Sequence, residues 1–197
     1  MKGTKDDVDA LEALAKNMDK PIAQLHALYV LAGREELRFG LLEQVARNSD
    51  SFVVAHALTL MSKIEIESQV LSVRQLSSYL IEKDNPAIDL YLISALGKWS
   101  KNSSDIFFPL LLMLADKQTD PILHESSISS VEGQEEVVLR KTSNGELAKM
   151  LTGVVDNRKN DRKNWIFEKV SLEEDDRTRG MRFYKTICAA CHGGGGT

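Results

Sequence analysis

Along most of the chain apolar residues recur three and four positions apart, the spacing that gathers them on one face of an α-helix. Ile88, Tyr91, Leu92, Ala95, Leu96 and Trp99 fall at i, i+3, i+4, i+7, i+8 and i+11. Val54, Ala57, Leu58 and Met61 repeat the arrangement over a shorter span. Further helical segments lie between them, at Glu35 to Arg47, Glu67 to Glu82 and Asp105 to Asp116. No stretch alternates apolar and polar residues as a half-buried strand would. The pattern predicts an all-α chain of about eleven or twelve helices, with Leu25, Leu28, Leu58, Met61, Leu92, Ala95, Leu96 and Leu112 buried between helix layers.

The helices are organised by a repeat. Four segments align on an aspartate: DKPIAQLHALYVLAG, DSFVVAHALTLMS, DNPAIDLYLISALGKW and DPILHESSISSVEG. The aspartates, at 19, 50, 84 and 120, are spaced 31, 34 and 36 residues apart. Pro21, Pro86 and Pro121 follow three of them within two positions. Aspartate as cap and proline in the first turn is a helix start with a physical cause. The carboxylate accepts from free N–H groups, and proline has no N–H to leave unmade. The unit is a pair of antiparallel helices repeated about every 34 residues, which makes an α-solenoid. It resembles HEAT repeats over roughly Asp6 to Gly133. Tetratricopeptide repeats have a similar period, but their Trp, Gly, Tyr and Pro positions are not found. HEAT-like helices are foremost a scaffold, and no exposed aromatic or charged cluster is legible on their concave side.

After Gly133 the repeat loosens. QEEVVLRKTSNGELAKMLTGVVDN allows two helices broken at Ser143-Asn144-Gly145. NRKNDRKN, Asn157 to Asn164, reads as a linker or exposed turn, or a connecting helix. Ser171 with Glu174 fits a capping box that opens one more helix. The resulting boundaries are 1–156 for the helical repeats, 157–170 for the connection and 171–197 for the C-terminal segment.

Composition narrows the classes. Apolar residues are 43% and charged residues 27% of the chain, as in ordinary globular proteins. The net charge of −4 and the lack of a basic stripe argue against nucleic acid as a partner. The longest apolar run, Ile106 to Ala115, is too short to span a bilayer. The N-terminal MKGTKDDVDALEALAKN lacks the apolar core of a secretory signal.

The chemistry is concentrated in TICAACHGGGGT. Cys188 and Cys191, the chain's two cysteines, stand at i and i+3, and His192 follows directly. Cys-x-x-Cys-His is the attachment sequence of c-type haem. Its thiols join the porphyrin edge as thioethers, and the imidazole becomes the proximal iron ligand. A zinc site would need two more ligands at suitable spacing. A thioredoxin-like pair would sit at the start of a helix after a strand. A structural pair of cysteines, incidental or disulfide-bonded, is the remaining alternative. His26, His56 and His124 fall one per repeat and read as core or groove positions. The internal methionines read as packing residues. No constellation for hydrolysis, phosphoryl transfer or hydride transfer is visible, so no enzyme activity is assigned to the segment.

RGMRFYKTICAACHG, Arg179 to Gly193, resembles the N-terminal helix of class I cytochrome c domains. Gly180 and the pair Phe183–Tyr184 stand where that family has a glycine and an aromatic pair. The resemblance implies haem c held covalently by Cys188 and Cys191, with His192 as proximal ligand. HEAT-like repeats running into such a helix resemble the haem-binding Cys-x-x-Cys-His proteins of Planctomycetes and related bacteria. Those carry a sugar dehydrogenase-like propeller before the repeats and a cytochrome c domain after them. The resemblance therefore implies electron transfer with a redox partner protein or fused dehydrogenase domain, a possible oxidoreductase parent, and a periplasmic or otherwise exported location. It also implies a distal methionine loop and a closing helix after His192. The expectation is thus a fragment with an incomplete haem site, whose natural N-terminus lies upstream or whose Met1 is an artificial start. A helical-repeat protein–protein interaction module without redox role is the alternative.

Overall fold

Three of the four prolines open helices: Pro21, Pro86 and Pro121 each occupy a first turn. The computed structural model describes residues 5–164 and contains, among them, ten α-helices and no strand. These are α1 (Lys5–Ala15), α2 (Pro21–Gly33), α3 (Phe39–Asn48), α4 (Ser51–Met61), α5 (Val70–Glu82), α6 (Pro86–Asn102), α7 (Ser104–Lys117), α8 (Pro121–Ser130), α9 (Glu135–Lys141) and α10 (Gly145–Asn164). The all-α reading holds. The helix expected after Ser171 lies outside the described residues. Asn157 to Asn164 continue α10 as helix and do not form an exposed turn.

Two of the four repeat aspartates cap as expected. Asp50 accepts from the Val53 N–H at 3.1 Å and Asp120 from the Ile122 N–H at 2.8 Å. The other two do not. Lys20 precedes α2 and makes no side-chain cap bond. Asn85, not Asp84, caps α6 by accepting from the Ala87 N–H at 3.1 Å. Asp84 instead takes a left-handed φ of 50° just past the end of α5, and its carboxylate pairs with Lys117 at 2.6 Å. The spacing of the aspartates is real, but one-residue shifts change what each carboxylate reaches.

The helix expected from Glu35 starts four residues later for a related reason. Glu35 sits at φ 60°, with its N–H bonded to the Ala32 carbonyl and the Glu36 N–H to the Leu31 carbonyl. That pair of bonds is a Schellman ending of α2. Likewise Glu67–Gln69 form a single 3-10 turn, and the α-helix proper begins at Val70.

The helices pack in two rows. Helices α2, α4, α6 and α8 each lie against the next in that series, and α1, α3, α5 and α7 do the same. Successive helices also pair across the rows, α1 with α2, α3 with α4 and α6 with α7. Leu28, Leu58, Met61, Leu92, Ala95 and Leu96 fill the space between the rows, as the periodicity predicts. Leu25 and Leu112 are only partly buried. In α2 the inward positions are Gln24, Ala27, Leu28 and Leu31, which leaves Leu25 at the flank. In α7 they are Phe107, Phe108, Leu111 and Leu114, which does the same to Leu112.

Two local features fix this packing. Gln24 is buried, and its Nε2 donates to the Ala15 carbonyl and to Ser49 Oγ, both at 2.8 Å. It thereby ties the end of α1 to the turn between α3 and α4. Between α6 and α8 the contact is closest at Gly97, where an added Cβ would stand 2.6 Å from both Cβ and O of Ser130. Only a glycine allows the two backbones this approach. Among the described residues no helix is long and apolar enough to cross a membrane.

Candidate functional site

The expected haem site, Cys188, Cys191 and His192, lies outside the described residues, as do Gly180 and Phe183–Tyr184. Among the described residues no group of three or more His, Cys, Asp and Glu side chains could hold a metal ion. In the sequence the motif sets two cysteines three positions apart with a histidine directly after the second.

The three remaining histidines separate into different settings. His26 is exposed on α2. His124 is 3% exposed, and its Nε2 lies 2.9 Å from the Gln118 carbonyl. A carbonyl only accepts, so this nitrogen carries the hydrogen and donates. Asn144 Nδ2, 3.2 Å from the same nitrogen, therefore spends its hydrogens on the carbonyls of Asp116 (3.2 Å) and Gln118 (3.0 Å). The other end of the Asn144 amide caps α10, accepting from the Glu146 and Leu147 N–H groups at 3.1 Å each.

This network extends in both directions. Asp116 accepts from the Thr142 hydroxyl and, at 3.0 and 2.8 Å, from the N–H and hydroxyl of Ser143. Partial burial alone would push its carboxyl up, but those bonds outweigh it and hold the group below the usual carboxylate range. Gln118 Nε2 donates to Asp89 Oδ2 at 3.0 Å. Asp89 is 1% exposed and its Oδ1 has no partner among the described residues; burial pushes its carboxyl up. The arrangement locks the turn between α9 and α10 onto the end of α7 and onto α6.

His56 is partly buried beside two exposed aromatic rings. Its Nδ1 lies 2.9 Å from the Tyr29 hydroxyl, and the rings of Tyr29 and Phe52 meet it edge-on at 5.7 and 4.9 Å between centroids. With the hydrogen on Nε2, the phenol donates to Nδ1. Phe52 remains 51% and Tyr29 40% exposed. Ile22 and Val30 of α2 are exposed on the same helix as Tyr29, and Tyr91 is exposed on α6. The sequence reading found no exposed aromatic cluster; the structure places one on α2 and α4. A signal was available. Apolar residues run nearly the whole way around α2 and α4, more than one buried face requires. The chain, compared with protein-family models, curated proteins and solved structures, matches none of them.

Proposed function

We propose that the chain is a HEAT-like α-solenoid scaffold bearing a c-type haem attachment segment. In the protein to which it belongs, the haem on Cys188, Cys191 and His192 exchanges electrons with a redox partner or fused dehydrogenase domain outside the cytoplasm. The observation that carries this reading is the Cys-x-x-Cys-His sequence, preceded by Gly180 and Phe183–Tyr184 in a chain without other cysteines. Two rows of helices, repeating about every 34 residues, support the scaffold part of the reading. Bound haem supplies one-electron transfer. The residues of the chain supply covalent attachment and one axial ligand. A haem with His192 as its one axial ligand is high-spin and takes up added imidazole, so spectra with and without imidazole report whether a second ligand is present. The test is export of the chain together with haem-attachment machinery, followed by absorption spectra with and without imidazole. A low-spin iron with a sulfur ligand would show that a methionine of this chain completes the site.

A second reading is an interaction module without redox role. It is favoured by the Tyr29–Phe52–His56 cluster, since solvent-facing aromatics of this kind are enriched where proteins meet. On this reading Cys188 and Cys191 are incidental or form a disulfide. Exported protein that stays colourless while a control cytochrome c matures in the same cells would favour it.

A further inference from the structure

Helices α6 and α8 enclose a groove of about 250 Å³, lined by Ser94, Gly97, Lys98, Lys101, Ser126, Ser129 and Ser130. No lining residue is acidic or large and apolar, in a chain whose net charge is −4. Lys98 and Lys101 are exposed and pair with no carboxylate among the described residues; Lys98 Nζ reaches Ser62 Oγ at 3.3 Å.

Several helical hydroxyls of the chain are satisfied within their own helix. Thr59, Ser77, Ser127 and Thr152 donate to the carbonyl four residues back, and Ser100 to the one three back. The hydroxyls of Ser94, Ser126, Ser129 and Ser130, like those of Ser51, Ser72 and Ser78, have no hydrogen-bond partner among the described residues. Serine is a mediocre helix former, and α8 carries four in ten residues.

We infer that this groove binds an acidic segment of a partner protein in extended conformation. The lysines answer the partner's carboxylates, and the serine hydroxyls, which both donate and accept, answer its backbone. Ser94 to Lys101 spans about 10 Å along α6, the length of about three extended residues and more than one compact oxyanion fills. Phosphate sites are commonly built on helix N-termini, whose free N–H groups point at the anion. Here the groove lies toward the C-terminal ends of α6 and α8, since Lys101 and Ser130 stand in or near their last turns. The inference uses neither the C-terminal cysteines nor the Tyr29–Phe52–His56 cluster, so it stands or falls apart from both functional readings.

The experiment titrates the full chain into a short fluorescein-labelled Glu/Asp-rich peptide and follows fluorescence anisotropy. The peptide should bind, and more weakly as salt rises. K98Q/K101Q should weaken binding about tenfold with the melting temperature held. S94A/S129A, which favours helix, should weaken it severalfold without loss of stability. K5Q/K149Q, away from the groove, should change nothing. Equal losses from the remote pair, or no binding by the native chain, would overturn the inference. So would displacement of the peptide by inorganic phosphate beyond what chloride achieves at equal ionic strength, which would mark a compact oxyanion site.

Discussion

Replacing Gly97 by alanine adds one methyl group at the place where α6 and α8 come closest. The new Cβ would stand 2.6 Å from the Cβ and the carbonyl oxygen of Ser130 and 3.0 Å from its Cα. Ordinary carbon contacts lie at about 3.5–4.0 Å, so the helices must part by roughly 1 Å or the last turn of α8 must unwind. Two of the three offending atoms belong to backbone, so no rotamer change relieves the clash. Overpacking of this kind costs about 1–3 kcal/mol. Alanine returns about 1 kcal/mol of helix propensity, which leaves a net destabilisation of about 1–2 kcal/mol if the helices part cleanly and more if they cannot. Gly153 is the internal control: it lies exposed in α10, and an added Cβ meets nothing within 4 Å. Gly153→Ala should therefore stabilise by up to about 1 kcal/mol. Urea unfolding of both variants, fitted for midpoint and slope, measures the difference. A Gly97→Ala protein as stable as the parent would refute the close packing of α6 on α8.

Leu92 is fully buried between the rows, and Leu92→Ala should cost about 2–5 kcal/mol in the same assay; a change within error would put that face in solvent. Glu35→Gly removes a side chain from a left-handed φ of 60° and should raise stability by up to about 1 kcal/mol, whereas Glu35→Val should lower it. Asp89→Asn tests the buried carboxyl. Burial raises its folded pKa above the unfolded value near 3.8, so its charged form lowers stability at neutral pH, and that cost fades as pH falls through the folded pKa. The variant should melt higher than the parent at pH 7 and lose that advantage in acid. Asp116 has the opposite sign: its lowered pKa adds stability at neutral pH that disappears as pH falls below the unfolded value, so a gain shared by Asp116→Asn would contradict this assignment.

Much of the fold was legible because helical periodicity in this chain is regular. Ile88 to Trp99 carries an unbroken apolar face, and α6 buries Ile88, Leu92, Ala95, Leu96 and Trp99 of it; Tyr91, on the same stripe, remains 38% exposed. Helix ends were less legible. Caps depend on which single residue adopts extended backbone, and Asp84 and Asn85 are equally good candidates by composition. In the structure Asp84 takes a left-handed φ past the end of α5 and pairs with Lys117, thirty-odd positions away, while Asn85 caps α6. The Asn144 network was invisible for the same reason: its members span Asp89 to Asn144 and meet only when α6, α7 and α8 have packed. The Tyr29–Phe52–His56 cluster was missed because periodicity says which residues are apolar, not which of two apolar faces meets a neighbour. The Cys-x-x-Cys-His motif is the reverse case, legible in five residues because its pattern is local.

The most direct test of the account is the intact mass of the chain exported together with haem-attachment machinery. The account predicts an added mass of one haem that survives acid–acetone extraction, maps to the peptide containing Cys188 and Cys191, and disappears in Cys188→Ser/Cys191→Ser. An unmodified or disulfide-bonded chain, made in cells where a control cytochrome c is fully loaded, would contradict it.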